Sequence, residues 1–307
     1  MRARAKDSWP GAARVQPMGQ RHVIVQVQPQ RRSDAMAAHQ LNVRHPEVGP
    51  DPAPAQQTRP RRSLVRSGPS TLAIDIGGTH LKAVVLGPDG SMLVDEVVVA
   101  TPHPCPPRVL LKATDRMIQA LPGFDRVSVG FPGVVRAGTI ITAPHLGTRS
   151  WHRFPLADTL AARLDRPVRV LNDADVQGFG LITGQGLEMV LTLGTGAGTA
   201  LFRDGELMPH LELAHHPIHN DLTYDEYIGA DALNRKGVKK WRRRVHRTIA
   251  ILRSLVNYDI LHIGGGNAGK IIDPPQDVRI GRNQAGLTGG IRLWQSDPQH
   301  WLHQRRH

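Results

Sequence analysis

The chain has 307 residues, 40% of them hydrophobic, a single cysteine and a formal net charge of +13. Such length and apolar content suffice for two compact lobes and exclude a wholly disordered chain. Cys105 on its own excludes an internal disulfide and fits a reducing compartment, so the cytoplasm is the expected location.

The positive charge is concentrated at one end. Residues 1–70 hold 12 Lys/Arg against 4 Asp/Glu, whereas residues 71–295 hold 25 against 21, so bulk charge is a weak argument for a nucleic-acid partner. No stretch approaches the ~18 consecutive apolar residues of a membrane span. Neither a membrane nor a specific nucleic acid is expected as a partner.

Residues 1–70 are rich in Arg, Pro and Gln with no sustained period of 2 or 3.6, and are expected to be a disordered basic extension. From Leu72 the pattern changes. Leu72–Ile76, Leu81–Leu86 and Met92–Ala100 read as strands, with the Gly87–Gly90 turn between the second and third. Apolar residues at helical spacing predict a helix over Arg108–Leu121, followed by a buried strand over Val127–Phe131. A helix over Leu156–Leu164 and a strand over Val168–Leu171 follow, then a hairpin of Met189–Leu193 and Thr199–Phe202. A long helix over Val238–Asn257 leads to a strand at Ile260–Ile263, and residues 296–307 read as a disordered tail. Strands alternating with helices predict α/β lobes, each with a central sheet.

Three glycine-bearing turns interrupt this pattern. In Asp75-Ile76-Gly77-Gly78-Thr79-His80-Leu81-Lys82, paired glycines let backbone amides approach an anion, Thr79 offers a hydroxyl and Lys82 a cation. Asp75 supplies a hard oxygen suited to magnesium. In Gly194-Thr195-Gly196-Ala197-Gly198, glycine at every second position between apolar strands points to something approaching the backbone. Gly264-Gly265-Gly266 follows a strand, where the carboxyl ends of sheets commonly receive ligands, and lacks the Gly-Lys-Ser/Thr of a P-loop. Between these turns, Leu171-Asn172-Asp173-Ala174-Asp175 brings carboxylates to a strand end. Two uses are open to Asp173: general base for an acceptor hydroxyl, or cap of the next helix.

Together these segments resemble the ROK family of sugar kinases and repressors over residues 72 to about 295, within the hexokinase and actin-like ATPase superfamily. The family pattern D-x-G-G-T-x-x-K is met from Asp75 to Lys82, and Leu193–Gly198 resembles its second phosphate motif. Gly264–Gly266 resembles the adenosine motif and Asn172-Asp173-Ala174 the catalytic Asn-Asp-Ala. Within the family, Val129–Val135, Leu171–Asp175 and Thr223–Gly229 are similar to polyphosphate glucokinases and related glucokinases and glucomannokinases.

The resemblance implies a two-lobed hexokinase/actin-like ATPase (ribonuclease H-like) fold. The small lobe would span residues 71–171 and the larger lobe 172–295, with the last helix returning to the small lobe. It also implies a homodimer that phosphorylates glucose, or mannose, from ATP or polyphosphate with Mg2+. Asp173 would deprotonate the sugar hydroxyl while Asn172 binds the sugar. The family's Glu-x-Gly-His signature appears as Glu212-Leu213-Ala214-His215, with alanine in place of glycine, so Glu212 and His215 are expected to grip the sugar. A further sugar-binding acid is expected at Glu226, with Asp225 as the alternative. The Cys-rich zinc loop of many members is missing, so no zinc is expected. The cluster His210, His215, His216 and His219 reads as local composition. Three rivals remain: a sugar-responsive regulator, which needs a helix-turn-helix ahead of the core, a non-catalytic sugar-binding protein, and, within enzymes, a kinase for an amino sugar or fructose.

Overall fold

The computed structural model describes residues 68–281 and 284–295. Nearly all of the expected basic extension and the whole of the expected tail lie outside the described residues. Of the extension, Ser70 is already tied down, its backbone N–H donating to the Asp125 carboxylate at 2.7 Å.

Strands β1 (Thr71–Ile76), β2 (His80–Leu86) and β3 (Val97–Ala100) pair antiparallel. Helix α1 (Pro107–Ile118) brings the chain to β4 (Arg126–Phe131), parallel to β1. A small ribbon, β5 (Val135–Arg136) with β6 (Thr139–Ile140), and helices α2 (Thr148–Trp151) and α3 (Leu156–Leu164) lead to β7 (Val168–Asn172), parallel to β4. The sheet order is β3-β2-β1-β4-β7.

Helix α4 (Asp173–Phe179) opens the second half. Strands β8 (Leu187–Leu193), β9 (Ala197–Arg203) and β10 (Glu206–Leu207) are again antiparallel. After a ribbon of β11 (Pro217–His219) and β12 (Leu222–Thr223) come helices α5 (Tyr224–Ile228), α6 (Ala230–Lys236) and α7 (Val238–Val256). Strands β13 (Ile260–Gly264) and β14 (Val278–Ile280) are parallel to β8, giving the order β10-β9-β8-β13-β14. Both sheets therefore share one plan: three antiparallel strands extended by two parallel ones.

Strand alternation decides what each face buries. Leu72, Ile74 and Ile76 of β1 pack with Val127, Val129 and Phe131 of β4 against Leu110 and Met117 of α1 and against Trp151. On the opposite face, Ala73, Val84 and Leu86 meet Leu287 of α8 (Ala285–Thr288) and Ile291 of the 3-10 turn Gly289–Trp294. The Ser128 hydroxyl donates to the Gly290 carbonyl at 2.6 Å and the Trp294 indole donates to Ser128 at 2.8 Å. Residues 285–294 thus pack on the first sheet as one short helix and a 3-10 turn.

In the second half, Met189, Leu191 and Leu193 pack against Trp241, Val245, Ile249 and Leu252 of α7, spaced at three and four residues along one helical stripe. Val190, Ala200 and Phe202, on the reverse face, enclose Val176 and Phe179 of α4. Each such fully buried side chain contributes about 1.5–3 kcal/mol. Because α4 carries Asp173 at its first position, this packing holds the carboxylate between the two sheets.

The expected strand over Met92–Ala100 is shorter, at Val97–Ala100. Leu93 is 53% exposed, and Asp95 and Glu96 beside it are charged, so the segment buries little beyond Met92, which bridges to Leu86. Among the described residues no helix is long and apolar enough to cross a membrane.

Candidate active site

The three glycine turns and the start of α4 open onto one cleft of about 540 Å³. From the first turn it is lined by Asp75, Gly77, Thr79 and Lys82, and from the second by Gly194, Thr195, Gly196 and Gly198. Gly265 and Gly266 of the third turn join them, with Asn172 and Asp173 at the floor and Glu212 and His215 at the wall.

The turns are fastened to one another. Thr79 and Thr195 hydroxyls lie 2.8 Å apart. The Asn267 backbone N–H donates to the Leu193 carbonyl at 2.9 Å and its side-chain amide to the Gly194 carbonyl at 3.3 Å, joining the third turn to the second. Gly265 has φ +84°, and a Cβ there would stand 2.6–2.7 Å from the Leu193 backbone, so only glycine fits. At Gly194 and Gly266 a Cβ would meet no atom within 4 Å; both leave open space beside the cleft for close approach of a ligand to the backbone.

Three expected positions fall outside the cleft lining. Gly264 is buried in β13, where a Cβ would strike Gln177 at 2.3 Å, and Gly78 packs towards His145. Glu226 is exposed, and its carboxylate accepts from the Thr223 backbone N–H at 2.9 Å in a capping box that starts α5. The adjacent Asp225 faces the cleft instead, accepting from the Ala197 N–H at 2.6 Å with His145 Nε2 3.7 Å away. Helix phase separates the two neighbours: the capping position turns Glu226 back along its own helix.

The cap of α4 falls to Asn172. Its Oδ1 accepts from the Ala174 N–H at 2.8 Å, and its amide donates to the Gly133 carbonyl at 3.1 Å. Asn172 therefore lines the cleft with both ends of its amide already engaged by backbone, and among the described residues the Asp173 carboxylate accepts a hydrogen bond only from the Ala174 N–H, at 2.9 Å. Burial pushes the Asp173 carboxyl up to about 8, the Asp75, Glu212 and Asp175 charges adding to the push and the Ala174 N–H opposing it. Asp75 is also raised, by burial foremost, against the pull of Lys82.

Residue types alone did not single out His80, His145, Gln177 or Asn267 as cleft residues. Gln177 follows Asp173 by one helical turn, and its Oε1 is buried without a hydrogen-bond partner among the described residues. That periodicity was the available signal. His145 sits in a loop with no pattern of its own.

The cleft thus gathers anion-seeking backbone turns, one lysine and several acids whose proton affinities burial has raised. This combination suits moving a phosphoryl group onto a hydroxyl.

The chain is 28% identical over 248 residues to the polyphosphate glucokinase of Mycobacterium leprae (strain TN), covering 74% of this chain and 75% of that protein. It is also 28% identical to the polyphosphate glucokinase of Mycobacterium tuberculosis (strain CDC 1551 / Oshkosh), covering 74% of this chain and 92% of that protein. Among solved structures, the inorganic polyphosphate/ATP-glucomannokinase from Arthrobacter sp. strain KM superposes with a TM-score of 0.68 at 27% identity, over 75% of this chain and all of that one. The ROK family glucokinase from Streptomyces griseus shares the fold at a TM-score of 0.63 and 20% identity, over 74% of this chain and 100% of that one. With the duplicated sheet plan, these likenesses identify the two-lobed hexokinase/actin-like ATPase fold. Residues 71–219 match the model of the ROK family and carry that family's domain.

Proposed function

We propose that the protein is a hexose kinase that transfers a phosphoryl group from ATP or inorganic polyphosphate to the 6-hydroxyl of glucose, and of mannose as a second acceptor. One observation carries the reading: Asp173 opens α4 in the same cleft as the glycine turns and the Glu212–His215 pair. A raised proton affinity and a single backbone partner suit Asp173 to take the proton of an attacking hydroxyl.

The glycine turns and Lys82 would neutralise phosphoryl oxygens while Glu212, His215 and Asp225 hold the acceptor by charge-assisted hydrogen bonds. Asp75 is a hard oxygen donor beside the glycine turns and fits Mg2+. Among the described residues no cluster of three His, Cys, Asp or Glu could hold a metal; magnesium needs none, since it is commonly held by one or two carboxylates, water and substrate phosphates. When bound, it would spread the charge developing on the phosphoryl oxygens. Assembly as a homodimer in the cytoplasm belongs to the same proposal.

The test is purified protein with glucose or mannose, each with ATP or polyphosphate, following sugar phosphate. Transfer from at least one donor is expected, with Asp173→Asn lowering kcat by a factor of 100 or more while glucose binding stays measurable. Absence of sugar phosphate in all four pairings, or wild-type turnover by Asp173→Asn, would overturn the reading.

A further inference from the structure

His210 takes no place in the cleft lining, yet it joins two of the elements that build it. Its Nδ1 lies 3.1 Å from Asp175 Oδ1 on α4, and its Nε2 lies 3.2 Å from Glu212 Oε1. The imidazole is 15% exposed and the Asp175 side chain 4%. A neutral imidazole can donate from one nitrogen only, so the other would turn a lone pair towards a carboxylate. Two ionised carboxylate partners therefore call for the doubly protonated ring; burial pushes the Asp175 carboxyl up, and the hydrogen bond and charge of His210 pull it back. Burial pulls His210 downward, but hydrogen bonds to Asp175 and Glu212 outweigh it and lift the ring to about 10.

We propose that His210 is a positioning residue for the sugar acceptor, an imidazolium clamp that ties Glu212 to α4 and so fixes the carboxylate that grips the hexose. The inference rests on the hexose-kinase reading. His210 takes Glu212 Oε1, while Oε2 lies 3.9 Å from His215 Nε2, on the wall facing the cleft. Asp175 stands two residues after Asp173 on the same helix, so one side chain sets the spacing between the proposed base and the acceptor grip. Without the cation, Asp175 and Glu212 would be left as neighbouring carboxyls with no shared partner, and their repulsion would swing Glu212 out of register.

The experiment measures hexose and donor KM, kcat and calorimetric glucose affinity for the wild type, His210→Ala and His210→Gln, alone and combined with Glu212→Gln. The expected result is a hexose KM and glucose Kd at least tenfold higher in His210→Ala, with donor KM and kcat within threefold of wild type. His210→Gln, which can still donate to one carboxylate, should fall between. In the Glu212→Gln background the His210→Ala effect should shrink to less than threefold. An unchanged glucose Kd, hexose and donor KM rising together, or an equal His210→Ala effect in both backgrounds would each overturn the clamp. Should His210→Ala fail to fold, His210→Gln carries the same comparison. A wild type that binds glucose but forms no sugar phosphate would refute the kinase reading while the Kd shift still judges the clamp; a wild type that neither binds nor phosphorylates glucose would overturn both.

Discussion

The hydroxyls of Thr79 and Thr195 meet at 2.8 Å although 116 residues separate them in the chain. One belongs to the turn between β1 and β2, the other to the turn between β8 and β9, so equivalent turns of the two repeated sheets touch at the donor end of the cleft. Replacing either hydroxyl removes a hydrogen bond worth about 1 kcal/mol. Thr195→Val is expected to raise the donor KM several-fold and leave the hexose KM unchanged, measured at saturating partner substrate; Thr195→Ser should restore the donor KM.

Asp173 predicts opposite pH trends for activity and stability. Its folded-state pKa of about 8 lies above its ordinary 3.8, so folding disfavours the ionised form. The stability associated with this group is complete below about pH 4 and is lost as pH rises through 8. Asp173→Asn should therefore match wild type near pH 4 and exceed it above pH 8, read from urea midpoints. Activity runs the other way, because only the ionised carboxylate accepts a proton. Wild-type kcat/KM should rise about tenfold per pH unit towards pH 8 and then level.

Asp225 and Glu226 give a paired test of which acid reaches the acceptor. Glu226→Gln should leave hexose KM within twofold and keep the melting temperature near wild type, because glutamine can also close the capping box. Asp225→Asn should raise hexose KM tenfold or more. Steady-state kinetics together with thermal melts separate the two, and the reverse pattern would restore Glu226 to the site.

Gly265→Ala introduces a Cβ at φ +84° and 2.6–2.7 Å from the Leu193 backbone. The strain must push the second and third turns apart, at a cost of roughly 2 kcal/mol or more. A loss of stability accompanied by a rise in donor KM is expected. Gly266→Ala, whose Cβ would meet open space, should keep the stability and lose donor affinity alone.

Much of the fold was legible because apolar runs and helical stripes are local. Leu156–Leu164 emerged as a helix with the expected ends, and the long helix ends at Val256, one residue short of expectation. The Met92–Glu96 segment misled because a short apolar run does not say how far a partner strand extends; after the single Met92–Leu86 bridge, β3 pairs with β2 only from Val97. That the three glycine turns would line a cleft was readable because glycine at such spacing leaves the backbone open to close approach. His145, Gln177 and Asn267 were not, because each is an ordinary loop or helix residue until another element is folded against it.

By itself, the order of residues determined which turns could receive an anion, which strand end carried a carboxylate, and which family these motifs resemble. Only the tertiary structure decided that Asn172 caps α4 while Asp173 accepts from the Ala174 N–H, that Asp225 and not Glu226 faces the cleft, and that His210 ties Asp175 to Glu212. The reason is physical. Backbone conformation and helical phase are set by near neighbours in the chain, whereas burial, charge pairing and proton affinity depend on groups that folding brings together from far apart.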